Sequence, residues 1–255
     1  MSRSGLTQWF VGQAAPTARL RLYCFSYAGG SAFTFHGWGS ALVPEVEVCA
    51  VQLPGRGARL AEPPINSMQT LLQALVPAIA RHNDRPFALF GHSVGALVAF
   101  ELTRYLRLHG MSQPEQLIVS GCQAPRFRSA PRNYHLLDDD AFINVLAEYN
   151  GTPQMVLENR ELMDLLLPAL RADFSLAETY RYRGGPQLDL PITLLAGEYD
   201  DIRDEGQVDG WALETSHALS TVWFDGGHFF IDTHRQQVVD RVRATLSKVP
   251  EPLPG

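Results

Sequence analysis

Short runs that are apolar at nearly every position recur along this chain, and they restrict it more than any other feature. They are Arg19–Ser26, Val46–Leu53, Pro86–Phe90, Gln116–Gly121, Pro191–Ala196 and Ser220–Phe224. A strand that is apolar on both faces has to be covered on both faces. Between most of these runs lie stretches with helical periodicity. Met68–Arg81 places Leu71, Leu72, Leu75 and Ile79 on one face, and Val94–His109 does the same with Leu97, Val98, Leu102 and Leu106. Gly206–His217 and His234–Lys248 carry a weaker pattern. Strands alternating with helices predict an α/β fold with a mostly parallel sheet and helices on both faces. The 255 residues suit one domain spanning 1–255, ample for a sizeable core.

One region breaks the alternation. From Gly121 to Pro191 no strand is expected, only helical stretches near Asp138–Tyr149, Glu158–Leu167 and Pro168–Arg183, joined by Asn150–Pro153. An insertion over about residues 126–185 would leave the sheet at strand carboxyl ends, where ligands bind. A helical lid is expected there.

Composition narrows the functional classes. A formal net charge of −6 argues against nucleic-acid binding. No run of about 18 apolar residues exists, so no membrane span is expected, and the N-terminus lacks the apolar core of a signal peptide. A cytoplasmic protein is expected. Cys24, Cys49 and Cys122 each sit in or at the end of a strand-like run and read as reduced core residues. No Cys/His set has zinc spacing, and neither G-K-[ST] nor G-x-G-x-x-G occurs. No metal and no cofactor are expected.

The stretch Phe90-Gly-His-Ser-Val-Gly95 joins a predicted strand to a predicted helix. This is the setting of a nucleophile elbow, in which glycines let strand and helix approach and the serine is held at a helix N-terminus. There the Val94 N–H is free to bind an oxyanion. A serine needs a base, and on this architecture the order is Ser, acid, His. Ser93, Asp200 and His228 fit, the last two standing just after the predicted strands Pro191–Ala196 and Ser220–Phe224. Asp201, Asp204 and Asp225 remain rival acids. His92 should point away from the serine. His36, His82 and His109 fall in or at the ends of helical stretches, and His135, His217 and His234 read as surface or packing residues. A second oxyanion donor is expected in the small-residue loop Tyr27–Ser31, after the first long strand.

These residues resemble the type II thioesterases of polyketide and nonribosomal peptide pathways, a branch of the α/β-hydrolases. The resemblance runs from about Arg21 to Thr245. "CFSYAGGSA" (Cys24–Ala32) is similar to the family's F-P-[HY]-A-G-G-S-A loop, and "QLPGRGAR" (Gln52–Arg59) to its L-P-G-R segment. "LFGHSVGA" (Leu89–Ala96) carries the elbow. "LLLPALRADFSLAETYRYR" (Leu165–Arg183) is similar to the last lid helix, and "GGHFF" (Gly226–Phe230) holds the histidine. Ser26 and Asp201 stand where the family has proline. The resemblance implies Ser93 as nucleophile, His228 as base, Asp200 as acid, and the N–H groups of Ala28 and Val94 as oxyanion donors. It implies hydrolysis of acyl thioesters on the phosphopantetheine arm of an acyl- or peptidyl-carrier protein. The alternatives are a medium-chain fatty acyl-carrier thioesterase and a free-standing carboxylesterase. Arg126, Arg128 and Arg132, at the start of the insertion, are the basic cluster best placed for a carrier. A monomer is expected.

Overall fold

A computed structural model describes residues 8–128, 130–149, 151–201 and 208–250. Seven strands form one sheet: β1 (Phe10–Val11), β2 (Leu20–Phe25), β3 (Val46–Val51), β4 (Phe87–His92), β5 (Gln116–Ser120), β6 (Ile192–Gly197) and β7 (Ser220–Phe224). Their spatial order is β1-β3-β2-β4-β5-β6-β7. Only β1 runs antiparallel; the other neighbours are parallel. The chain leaves β2 toward one edge, to β3, and then returns past β2 to β4. The crevice of such a sheet opens at the carboxyl ends of the strands where this reversal occurs. β2 and β4 are adjacent there, with Phe25 opposite Gly91.

The helices are α1 (Trp38–Leu42), α2 (Met68–His82), α3 (Val94–Leu108), α4 (Asp139–Glu148), α5 (Gln154–Leu157), α6 (Arg160–Glu178), α7 (Phe230–Thr233) and α8 (Arg235–Leu246). Strands β2 to β6 are buried at every position, as largely apolar runs require, and the charged exceptions Arg21 and Glu47 pair with each other across β2 and β3. Side chains alternate across the sheet. Tyr23, Phe25, Leu89 and Val119 meet α2 and α3 on one face. Leu22, Cys24, Phe90 and Ile118 meet Trp38 of α1 and Val238 and Val242 of α8 on the other. The three cysteines are free and buried; burial pushes the Cys122 thiol up to about 11.

Helices α4 to α6 lie between β5 and β6 in sequence and close a small core of their own, from Phe142, Leu146, Met163, Leu167 and Leu170. The expected break at Pro168 is absent, and α6 is one helix of 19 residues. Its first turn is capped by Asn159, whose side chain accepts from Leu162 N–H. Pro168 costs one backbone hydrogen bond. It stands on the exposed face between buried Leu167 and Ala169, so the freed carbonyl can be hydrated. The expected helix Gly206–His217 is replaced, within the described residues, by a 3₁₀ segment, Asp209–Glu214. Buried Trp211 anchors it by donating from Nε1 to Cys122 O at 2.9 Å. β1 and α7 carry too few residues to show a period. Among the described residues no helix is long and apolar enough to cross a membrane.

Backbones pack closely at the β4–α3 turn. A Cβ on Gly91 would stand 2.2 Å from Gly95 O, and one on Gly95 would stand 2.4 Å from Phe25 O. Both obstacles are backbone, which cannot rotate away. Gly95→Ala is expected to destabilise the fold by about 3 kcal/mol or more, as overpacking of a rigid site does. Gly39 in α1 has nothing within 4 Å of its would-be Cβ. Gly39→Ala should be neutral or stabilising by up to about 1 kcal/mol. Urea denaturation of the two variants checks both.

Candidate active site

Ser93 stands between β4 and α3 with φ 57° and ψ −122°, a conformation that costs a non-glycine residue about 1–3 kcal/mol. Its N–H donates to Ser120 O at 2.8 Å, tying the turn to β5. Only glycine on either side lets β4, α3 and the end of β2 approach this closely, so the turn is held from three sides. The serine is half-buried, with its Oγ 3.0 Å from His228 Nε2.

His228 Nδ1 lies 2.8 Å from Asp200 Oδ2. A carboxylate can only accept, so Nδ1 carries the proton and Nε2 is left to accept from Ser93 Oγ–H. Asp200 is 5 % exposed. Asp201 and Asp225 face solvent, and Asp204 lies outside the described residues. Asp200 and His228 come from loops that follow β6 and β7. These loops nearly touch at Gly197, where a Cβ would meet Gly226 O at 2.5 Å. Phe230 is fully buried and stacked on Phe224, which anchors the histidine loop.

The two expected oxyanion donors stand at the ends of adjacent strands. Val94 N–H opens α3 and has no acceptor within the helix. Ala28 sits in a turn closed by Gly30 N–H donating to Tyr27 O at 2.9 Å, with Gly29 at φ 76°. Ala28 N–H donates to no described residue. Among the described residues neither N–H has an acceptor, so both are available to a ligand.

His92 plays a part that the sequence reading missed. Its ring turns away from Ser93, as expected, and runs beneath the histidine loop. Nε2 lies 2.9 Å from the carbonyl of His228, and Nδ1 lies 2.8 Å from Ser120 Oγ. A carbonyl only accepts, so Nε2–H donates to it and Ser120 Oγ–H donates to Nδ1. A Cβ on Gly121 would stand 2.7 Å from this ring. His92 therefore holds the backbone of His228 from below. Its position inside the elbow was the only available signal, since Ser120 and His228 reach it through the fold. His234 packs against Gly226 of the histidine loop, while His82 bonds Tyr23 Oη and His135 bonds Glu178.

Arg126, Arg128 and Arg132 do not stand together as a bare basic patch. Arg126 bonds Glu214 and Tyr182 Oη, Arg128 bonds the Ala177 carbonyl, and Arg132 bonds Tyr134 Oη. Each guanidinium also lies over a tyrosine ring, that of Tyr182, Tyr180 or Tyr134. Arg126 and Arg132 remain exposed.

The sequence profile of the Thioesterase domain family matches residues 20–246. The gramicidin S biosynthesis protein GrsT of Aneurinibacillus migulanus is 39% identical over 238 residues, covering 93% of each chain. Thioesterase PikA5 of Streptomyces venezuelae is 38% identical over 229 residues, covering 89% of this chain and 81% of PikA5. Among solved structures, the type II thioesterase BorB from the borrelidin biosynthetic cluster superposes with a TM-score of 0.83 at 38% identity. It covers 92% of this chain and 96% of BorB.

Burial, and then the nearby His228, hold the His92 imidazole well below its ordinary value of 6.5. The folded ring stays neutral where the unfolded ring would take a proton. The unfolded state then binds more protons, so stability falls as pH drops through about 6.5, by up to about 1.4 kcal/mol per pH unit. Above that pH the group contributes no pH dependence. Urea titrations between about pH 5 and pH 8 should show this slope in the wild type and a shallower one in His92→Gln.

Proposed function

The chain belongs to the thioesterase domain family, and on that premise we propose that it hydrolyses acyl thioesters carried on the phosphopantetheine arm of a carrier protein. The observation that carries this reading is the hydrogen-bonded chain from Ser93 Oγ through His228 to Asp200. Ser93 attacks the thioester carbonyl while His228 Nε2 takes its proton. Ala28 and Val94 N–H hold the oxyanion of the tetrahedral adduct. The adduct collapses as the thiol leaves with the proton from His228, and an acyl-serine remains. Water, deprotonated by His228, then attacks the acyl group and frees Ser93. Asp200 keeps the imidazole in the required tautomer and offsets the charge it gains. His92 holds the His228 backbone through both steps.

The carrier partner is inferred from the biosynthetic setting named for GrsT and BorB. Helices α4 to α6 serve as the lid under which the arm threads to Ser93. Arg126 and Arg132 provide exposed charge at the rim of that insertion, with Arg128 behind them. The net charge of −6 offers no long-range attraction for an acidic carrier, so any steering has to be local.

Ser93→Ala should abolish hydrolysis of an acyl-carrier thioester, by several orders of magnitude in kcat, with the fold intact. Asp200→Asn should cost at least about a hundredfold, while Asp201→Asn stays near wild type. Steady-state kinetics on the three variants checks the roles; greatest damage from Asp201→Asn would refute the assignment of the acid. The partner is checked by comparing one acyl group on a carrier protein and on N-acetylcysteamine, with kcat/KM expected to be higher for the carrier. Neutralising the three arginines should lower it for the carrier alone.

A further inference from the structure

The turn that carries Ala28 is braced from outside. Asp173 of α6 is 1 % exposed and accepts from Gly29 N–H through Oδ2 at 2.8 Å. Arg56, from the loop after β3, grips the same carboxylate with both limbs, Nη1 to Oδ2 at 2.6 Å and Nη2 to Oδ1 at 2.7 Å. Arg56 Nη1 also donates to Gly30 O at 3.1 Å. A Cβ on Gly29 would stand 2.5 Å from Leu170 Cδ2, so α6 packs directly on the turn. Three segments distant in sequence thus converge on two buried charged side chains.

Burying an ion pair is costly, and well-packed apolar residues would hold helix to loop as firmly. A charged pair adds direction. The carboxylate attracts the N–H of the Ala28–Gly29 peptide and would repel its carbonyl, so it permits one orientation of that peptide. The guanidinium does the converse at Gly30 O. Gly29, with no side chain, has little preference of its own between orientations. Ala28 lies in the same turn, and the direction of its N–H depends on how the turn is held.

We propose that the Arg56–Asp173 pair positions the oxyanion donor Ala28, so that α6 of the insertion takes part in the chemical step as well as in covering the site. This rests on the reading of Ser93 and Ala28 given above. Arg56 and Asp173 are positioning residues and touch no reacting atom.

The test is the double variant Arg56→Met/Asp173→Leu, which replaces the pair by apolar groups of similar size. Hydrolysis of an N-acetylcysteamine thioester is measured per titrated active site. Inhibition is measured with a trifluoromethyl ketone analogue, whose adduct with Ser93 bears the oxyanion. Expected are a KM within about twofold of wild type, a kcat lower by at least about tenfold, and a Ki raised by a similar factor, below the hundredfold or more of losing a donor outright. A purely structural role would lower stability or the fraction of active sites and leave kcat per site and Ki unchanged; that result overturns the inference. If the double variant does not fold, Asp173→Asn is read in the same way. It keeps an acceptor for Gly29 N–H and should lose less, and an unchanged kcat and Ki again overturn the inference. Wild-type protein that hydrolyses no thioester would overturn the proposed function, and this inference with it.

Discussion

The approach of three backbones at Gly91 and Gly95 governs the rest of the structure. β4, the start of α3 and the end of β2 meet at distances that leave no room for a Cβ. Ser93 is forced to a positive φ as a result. Such strain persists only where the surroundings over-determine it, and here the buried strands on either side and the bond from Ser93 N–H to Ser120 O do so. The same closeness puts the loop after β2 beside the serine, which makes an oxyanion donor from that loop possible.

Around this point the groups are held in layers. Asp200 orients His228 through Nδ1, and His92 holds the His228 carbonyl from the other side. His92 is in turn fixed by Ser120, the residue that also accepts from Ser93 N–H. A displacement of β5 would therefore be felt by both the serine and the histidine loop. On the opposite flank, Asp173 and Arg56 tie the turn at Ala28 to α6 and to the loop after β3. A site held within a few tenths of an ångström needs such supports, because small misplacement costs rate heavily.

The insertion α4–α6 is both separate and attached. Its small core around Phe142 and Met163 packs without the sheet. Leu176, three residues beyond Asp173, joins the main core beside α3. The C-terminal half of α6 is thus part of the body of the protein, and Gly151, just before α5, packs on the Phe229 ring of the histidine loop.

Local pattern sufficed for whatever depends on nearest neighbours along the chain. Runs such as Leu20–Phe25 and Phe87–His92 are apolar at almost every position, and this alone requires a sheet covered on both faces. Strand, G-x-S-x-G and helix in direct succession specify an elbow, because the glycines must follow wherever backbones touch. The order Ser93, Asp200, His228 was also legible, since each residue follows or closes a strand-like run. What tertiary structure alone decided involves groups brought together from far apart. Asp200 and its neighbours differ in burial, and burial is set by the packing of β6 against β7. α6 runs through Pro168 because its proline faces water while Leu167 and Ala169 face the core. β1 exists because two residues find an edge of β3. The roles of His92 and of the Arg56–Asp173 pair were invisible for the same reason: their partners lie 26 to 144 residues away, and only the folded sheet makes them neighbours.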